Sequence, residues 1–268
     1  CGSRLTGSEL PRLYNRGLLK IADRETWFLK FAEIFARGTR ENFVRGFMNI
    51  TILTLFPEMF APLKESIIGR AVSGGKLNIN VVNIRDFAEN KHFKCDDYPF
   101  GGGAGMVMMP QPIGSAIEAV DPGHGARRIF LSPRGRTFTQ RIAVELAKER
   151  DIVLLCGHYE GVDQRVIDMY IDEELSIGDY VLTGGELPAM VVCDCVARYV
   201  EGVISGESLK DESFSNGLLE YPQYTRPAVY KGVSVPEVLL SGNHGEVDKW
   251  RQEQSLDITR KNRPDLLK

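Results

Sequence analysis

The sequence lacks what would place it in a membrane or in a disulfide framework. Its longest nearly apolar stretch, Trp27 to Ala36, is interrupted by Lys30 and Glu33 and falls far short of the roughly 20 residues that a spanning helix needs. No transmembrane helix and no membrane partner are therefore expected. The five cysteines, at positions 1, 95, 156, 193 and 195, include no CxxC pair and no clustered Cys/His ligand set. That spacing argues against structural zinc and for reduced thiols in a cytoplasmic setting, and no metal ligand is assigned. Cys193 and Cys195 sit in the apolar run Met190 to Val196 and read as small core fillers.

Positive charge is not in excess either. The net charge is −3, with 9 Lys/Arg against 5 Asp/Glu in residues 1–47, 16 against 25 in residues 48–220, and 8 against 6 in residues 221–268. Any nucleic-acid contact must then rest on local patches. Two nucleotide-binding fingerprints fail as well. Gly103 and Gly105 begin a G-x-G, but the third glycine position holds Met108, and Gly69 to Leu77 has glycine where a Walker loop needs lysine. There is no internal repeat and no long low-complexity tract.

What remains is an ordinary globular composition, 43% hydrophobic and 26% charged, with a strand-then-helix rhythm. Met48 to Phe56 is a β-branched apolar run, and Pro57 suits the first turn of a helix. Leu77 to Ile84 reads as a strand, Pro112 to Val120 as a helix, Arg128 to Leu131 as a strand, and Thr139 to Arg150 as a helix with Thr139 as N-cap. Asp151 to Cys156 is a short buried strand, Asp163 to Met169 a helical turn or two, and Gly185 to Val200 a long apolar helix. Alternation of this kind indicates an α/β domain on a mainly parallel sheet over residues 48–203.

Residues 204–221 turn to Gly, Ser, Asp, Glu and Lys and read as a flexible linker. Residues 222–268 form a small polar segment whose core candidates are Val238 to Leu240, Val247, Trp250, Leu256 and Ile258, expected to make a small helical C-terminal domain. Residues 1–47 fit none of this. An extension without a catalytic part is the preferred reading, against a basic RNA-binding arm or an organelle-type presequence.

Four glycine-bearing loops stand out. Tyr98 to Met109 has four glycines in five positions, which lets backbone N–H groups approach a ligand closely. Leu131 to Gly135, Cys156 to Gly161 and Ser176 to Glu186 fall where a sheet of this type presents the carboxyl ends of its strands, the edge where ligands of open α/β sheets bind. One shared pocket suited to an adenosine-like ligand is the economical reading; taken singly, each loop is more simply a turn.

In combination, the segments MNITILTLFPEMF, DDYPFGGGAGMVMMPQP, LSPRG, CGHYEGVDQRV, IDEELSIGDYVLTGGELPAM and GLLEYPQYTRP resemble, in this order, the signature segments of the bacterial tRNA (guanine-N1)-methyltransferases. The resemblance covers about residues 48–267. It implies a SPOUT-class fold, a parallel sheet whose C-terminal part is tied in a deep trefoil knot, which no periodicity could have foretold. It also implies S-adenosylmethionine as cofactor, magnesium as a candidate auxiliary, tRNA as substrate, and a homodimer with its active site at the subunit interface. The family's cofactor-binding loops match Phe130, Leu131, Ser132 and Pro133; Gly157, Tyr159 and Gly161; and Ile177, Gly178, Asp179, Tyr180, Val181, Leu182, Gly184 and Gly185.

Methylating guanine N1 removes a ring proton, and charge then spreads to O6. A carboxylate to take the proton and a cation aimed at O6 would both lower the barrier. The family's acidic-Ser-Phe motif reads Lys210-Asp211-Glu212-Ser213-Phe214 here. Glu212 is the first choice for the base, in a position usually held by aspartate, with Asp211 as its neighbour and rival. Arg198 matches the arginine that the family uses beside the target base. For RNA contact the candidates are Gly103, Gly105, Met106, Arg70 and Glu160, with further cations at Lys91, Lys94, Arg127, Arg128, Arg134, Arg136, Arg141, Arg260, Lys261 and Arg263. The expected product is N1-methylguanosine at the position 3′ of the anticodon. A SPOUT enzyme acting on another RNA atom and a non-catalytic RNA-binding module are the competing readings.

Overall fold

The computed structural model describes residues 47–206 and 208–268. The expectations for residues 1–46 lie outside the described residues. The chain divides into two compact units between Val203 and Ile204.

The first unit is built on β1 (Met48–Thr54), β2 (Leu77–Asn83), β5 (Arg127–Thr137), β6 (Asp151–Cys156) and β7 (Glu173–Ser176), in the order β2-β1-β6-β5-β7 and parallel throughout. The helices are α1 (Ser66–Ser73), α2 (Pro110–Val120), α3 (Gln140–Leu146), α4 (Gln164–Tyr170) and α5 (Glu186–Ala197). A small antiparallel pair, β3 (Asp96–Asp97) with β4 (Val107–Met108), closes the glycine-rich loop.

Side chains alternate across a strand, and both faces of this sheet are covered. Ile50 and Ile52 of β1 and Ile152 and Leu154 of β6 pack with α1, α3 and α5 on one face. Leu53, Val153 and Leu155 pack with α2 and α4 on the other. Hence β6 reads as an unbroken apolar run, DIVLLC, as buried parallel strands do.

Several boundaries differ from the sequence reading. The helix after Pro57 begins as a 3-10 turn, Pro57–Lys64, because Pro62 inside it can donate no hydrogen bond; α1 follows only at Ser66. Thr139 occupies the N-cap of α3, but its side chain makes no capping hydrogen bond. Strand β7, implied by the loop that follows it but given no bounds in the sequence reading, is a four-residue piece with two charged residues, too short and too polar to show periodicity. Strand β5 extends well past Leu131. Leu175 pairs with both Leu131 and Arg136, so residues 132–135 leave the ladder as an excursion. The guanidinium groups of Arg127 and Arg136, from either side of it, both reach the Glu173 carboxylate, at 2.8 and 2.9 Å.

The second unit holds a short hairpin, β8 (Val229–Tyr230) with β9 (Val233–Ser234), and one long helix, α6 (His244–Asn262). Its apolar candidates are not its buried positions. Leu240 and Leu256 are exposed, and the buried residues on α6 are Ser255 and Thr259. Thr259 explains this. Its hydroxyl donates to the Ser255 carbonyl at 2.6 Å and accepts from the Leu219 backbone N–H at 2.8 Å, so the contact with the incoming chain is polar. Among the described residues, no helix is long and apolar enough to cross a membrane.

Candidate active site

The carboxyl ends of β5, β6 and β7 lie side by side because those strands are neighbours or share a neighbour in the sheet. Each continues into a loop, and the three loops enclose one cavity of about 330 Å³. Its walls are Phe130 to Arg134, where β5 runs into its excursion, the segment Gly157 to Val162 after β6, and the segment from Leu175 at the end of β7 to Gly185, Asp179 excepted. The last two are tied together: Gly185 N donates to Gly157 O at 2.8 Å, and His158 forms an antiparallel bridge with Gly184.

Close approach dictates the glycine at 185. A Cβ there would stand 2.7 Å from Cys156 Cα and 2.8 Å from Gly157 N, so only glycine lets the third loop return against the end of β6. The same crowding holds at Gly135, where a Cβ would lie 2.5 Å from the Glu174 carbonyl carbon as β7 passes. Beneath the cavity, Cys156 is wholly buried. Burial, and second the nearby Glu186 carboxyl, push its thiol well above the ordinary range. It is packing, not a nucleophile.

Two residues in the wall carry polar or conformational tension. His158 Nδ1 is buried and has no hydrogen-bond partner among the described residues. Its ring lies 4.9 Å from that of Phe56 and 5.0 Å from that of Tyr159. Tyr159 has φ of +58°, a left-handed conformation that non-glycine residues seldom adopt and that clusters at ligand sites.

The glycine-rich loop meets this cavity through Glu160. Glu160 N donates to Met106 O at 3.0 Å, and the Glu160 side chain lies directly against Gly105, where an added Cβ would force it to shift.

Comparison with known proteins fits this architecture. The family model described as tRNA (Guanine-1)-methyltransferase TrmD matches residues 48–268. The chain belongs to the tRNA (guanine-1)-methyltransferase family. The tRNA (guanine-N(1)-)-methyltransferase of Ruminiclostridium cellulolyticum is 59% identical over 224 residues, spanning 82% of this chain and 96% of that protein. Those of Clostridium botulinum (59% over 222 residues) and Alkaliphilus oremlandii (58% over 230 residues) each span 82% of this chain and 92% of their own length.

In this methyltransferase every residue matched to the cofactor loops lines the cavity except Asp179, which is exposed. Arg134, His158, Ser176 and Thr183 lie in the three loops read as one shared pocket, though none was singled out as a cofactor contact; Val162, Leu175 and Pro188 fall outside those loops, and Glu160 was placed with the RNA contacts; all line the cavity. Of the RNA candidates, Gly105, Met106 and Glu160 come together, Gly103 lies nearby on the same exposed loop, and Arg70 is on α1, exposed and outside the cavity wall.

The arginines taken as a basic patch are largely committed elsewhere. Arg128 is buried in an ion pair with Asp121, which removes it as an RNA contact. Arg127 and Arg136 pair with Glu173, Arg134 with Glu174, Arg260 with Asp257 and Arg263 with Asp265.

The catalytic candidates divide between the units. Arg198 is the C-cap of α5, half-buried, with its N–H donating to Asp194 O at 3.3 Å. Asp211, exposed, and Glu212, half-buried, belong to the second unit. There the motif is folded into turns: Ser213 Oγ accepts from Glu220 N at 2.9 Å, and Phe214, at φ +76°, has the Arg263 guanidinium 5.8 Å from its ring centroid. Among the described residues, no group of three or more His, Cys, Asp or Glu side chains is arranged to hold a metal ion.

Proposed function

We propose that this chain methylates N1 of the guanosine 3′ of the anticodon in tRNA, using S-adenosylmethionine. The observation that carries the reading is the single cavity enclosed by three loops at the carboxyl ends of adjoining parallel strands, in a chain of this family.

The residues present fit the cofactor. Phe130, Leu131, Ile177 and Leu182 offer apolar faces to a purine and ribose, the glycines bring backbone N–H and C=O groups close, and the buried His158 Nδ1 lacks a partner that a ligand polar atom would supply. Arg134 and Glu160, opposite charges lining the one cavity, suit the two ends of an amino-acid tail. When bound, the cofactor supplies an electrophilic methyl group.

The chain's own residues then do three things in our proposal. The loop backbone orients that methyl in line with N1. Glu212, or Asp211 beside it, accepts the N1 proton, and Arg198 donates to O6, where negative charge collects. Gly103, Gly105 and Met106 face the RNA, with the target base unstacked to reach them.

The crossing at Gly135 and Gly185, where loops meet backbone to backbone, supports a knotted path for the segment after β7. A homodimer is supported by the uncovered apolar side chains around the start of α5, where Val181 is 81% exposed and Leu187 and Val191 nearly half exposed. A tRNA substrate and four free thiols among the described residues suit work in the cytoplasm.

Incubation with methyl-labelled S-adenosylmethionine and unmodified tRNA, followed by nuclease digestion and mass spectrometry, tests the proposal. Label in N1-methylguanosine next to the anticodon supports it. Label in a ribose 2′-O-methyl group, or tRNA binding with no transfer and no stabilisation by the cofactor, overturns it.

A further inference from the structure

The second unit contains a cavity of about 410 Å³ that the reaction above does not use. It lies between the chain from Tyr221 to Ala228 and the residues of α6 around Trp250. Three aromatic rings, those of Tyr221, Tyr224 and Trp250, and two guanidinium groups, those of Arg226 and Arg251, line it, and no carboxylate does. Tyr224 and Trp250 have ring centroids 6.3 Å apart at 55°, so they form a corner, not a closed stack. Arg251 lies with its guanidinium carbon 4.9 Å from the Tyr221 ring centroid. Its outer nitrogen is 3.4 Å from the exposed Asp248, but its Nε is buried and has no acceptor among the described residues.

A buried N–H without an acceptor is unfavourable and invites one from outside. The chemistry of the walls narrows what could bring it. A metal ion would find no carboxylate. An acidic peptide would meet the guanidinium groups but leave three ring faces without a planar partner. An unstacked nucleotide satisfies both: its base stacks on aromatic side chains, and its phosphate accepts from arginine.

We propose that this cavity receives one unstacked nucleotide of the tRNA, distinct from the methylated guanosine, with its base against Tyr224 and Trp250 and its phosphate on Arg226 and Arg251. The inference rests on tRNA being the substrate, as proposed above. It makes the second unit a reader of RNA shape through one splayed base.

Trp250 can report on its own occupancy. The protein has two tryptophans, so in a Trp27→Phe background the fluorescence is that of Trp250 alone. Titration of the full chain with an unmodified tRNA transcript should quench it saturably. Trp250→Ala and Arg251→Ala should each raise the Kd and KM for tRNA, by roughly 5- to 150-fold for Trp250→Ala, the equivalent of the 1–3 kcal/mol of a lost base stack. The Kd for S-adenosylmethionine and kcat at saturating tRNA should stay within twofold. Trp250→Phe, which keeps a ring, should recover most of the affinity, and it serves as the test if the alanine variant does not fold.

Folded Trp250 variants with unaltered tRNA affinity, or no quenching by tRNA, overturn the proposal. So does a fall in oligomeric mass without RNA, which would give the cavity to a second copy of the chain. Saturable quenching without methyl transfer would instead overturn the enzymatic reading and leave this one standing.

Discussion

The hydroxyl of Thr54 donates to Glu186 Oε1 at 2.8 Å, joining residues 132 positions apart, and both side chains are almost wholly buried. Thr54 ends β1 and its Oγ1 also accepts from Phe56 N at 2.9 Å, while Glu186 opens α5, directly after the Gly184–Gly185 wall of the cavity. A buried side chain is thus fixed at the helix N-terminus, where the backbone dipole favours an acidic group. Thr54→Val keeps the shape and leaves the Glu186 oxygen without its donor. It should cost about 1–3 kcal/mol of stability and raise the KM for S-adenosylmethionine several-fold while kcat holds. Thr54→Ser should restore both. Denaturant unfolding and cofactor titration check this, and equal loss in the serine variant would contradict it.

The sheet was legible because its strands obey simple rules. DIVLLC is apolar on both faces and bounded by charge and glycine, and Met48 begins a β-branched run of the same kind. The cavity was legible only as three loops after strands. That they meet depends on strand order, which puts β7 beside β5 and not next to its sequence neighbour β6, and no local pattern encodes that pairing. Thr259 shows the other limit. A buried threonine on a helix of polar residues looks like surface until its two hydrogen bonds, one to a residue 40 positions away, are seen. The arginine cluster misled for a related reason: Arg127, Arg128 and Arg136 have partners distant in sequence or hidden in the turn before β5.

Arg128 and Asp121 form the most enclosed ion pair described, at 2.7 Å, with side chains 6% and 11% exposed. The pair is embedded in further hydrogen bonds. Arg128 also donates to the Asp121 carbonyl at 2.6 Å, and the Asp121 carboxylate accepts from Gly125 N at 2.8 Å. Together they fix the turn that launches β5. Removing one member leaves a buried charge uncompensated, so Asp121→Ala should destabilise the fold by about 3–5 kcal/mol. Replacing Arg128 by Met as well should recover part of this, and only part, because the Gly125 N–H stays unpaired. Urea unfolding of both variants measures the difference.

Burial also sets how the fold responds to alkali. It pushes the Cys193 thiol up to about 12 and the Cys95 thiol up to about 11, whereas an unfolded thiol titrates near 8.5. Below that lower value both states carry the proton and the full contribution is present. As pH rises, the unfolded chain loses its proton first, and stability declines until the folded thiols also ionise. The urea midpoint should therefore fall between about pH 9 and pH 11. Cys193→Ala should show a shallower decline over the same range, and an identical slope would remove Cys193 from the account.

In the proposed reaction Glu212 and Asp211 are rivals for the part of the base, and their surroundings favour the former. Glu212 is half-buried inside the turn that Ser213 and Phe214 pin down, while Asp211 is exposed beside it. A base must be held where it acts, since misplacement by an ångström is costly. Glutamate carries its carboxylate one methylene farther from the backbone than aspartate does, so the proposed reaction requires a main chain set slightly back from the N1 proton. Glu212→Gln keeps size and hydrogen bonding but cannot accept the proton. Turnover should fall by about 10²- to 10⁴-fold, with S-adenosylmethionine and tRNA affinities little changed. Glu212→Asp should retain part of the rate. Single-turnover methyl transfer separates the alternatives: a large loss confined to Asp211→Asn would transfer the role to Asp211, and full rates in both variants would remove the linker acids from the chemistry altogether.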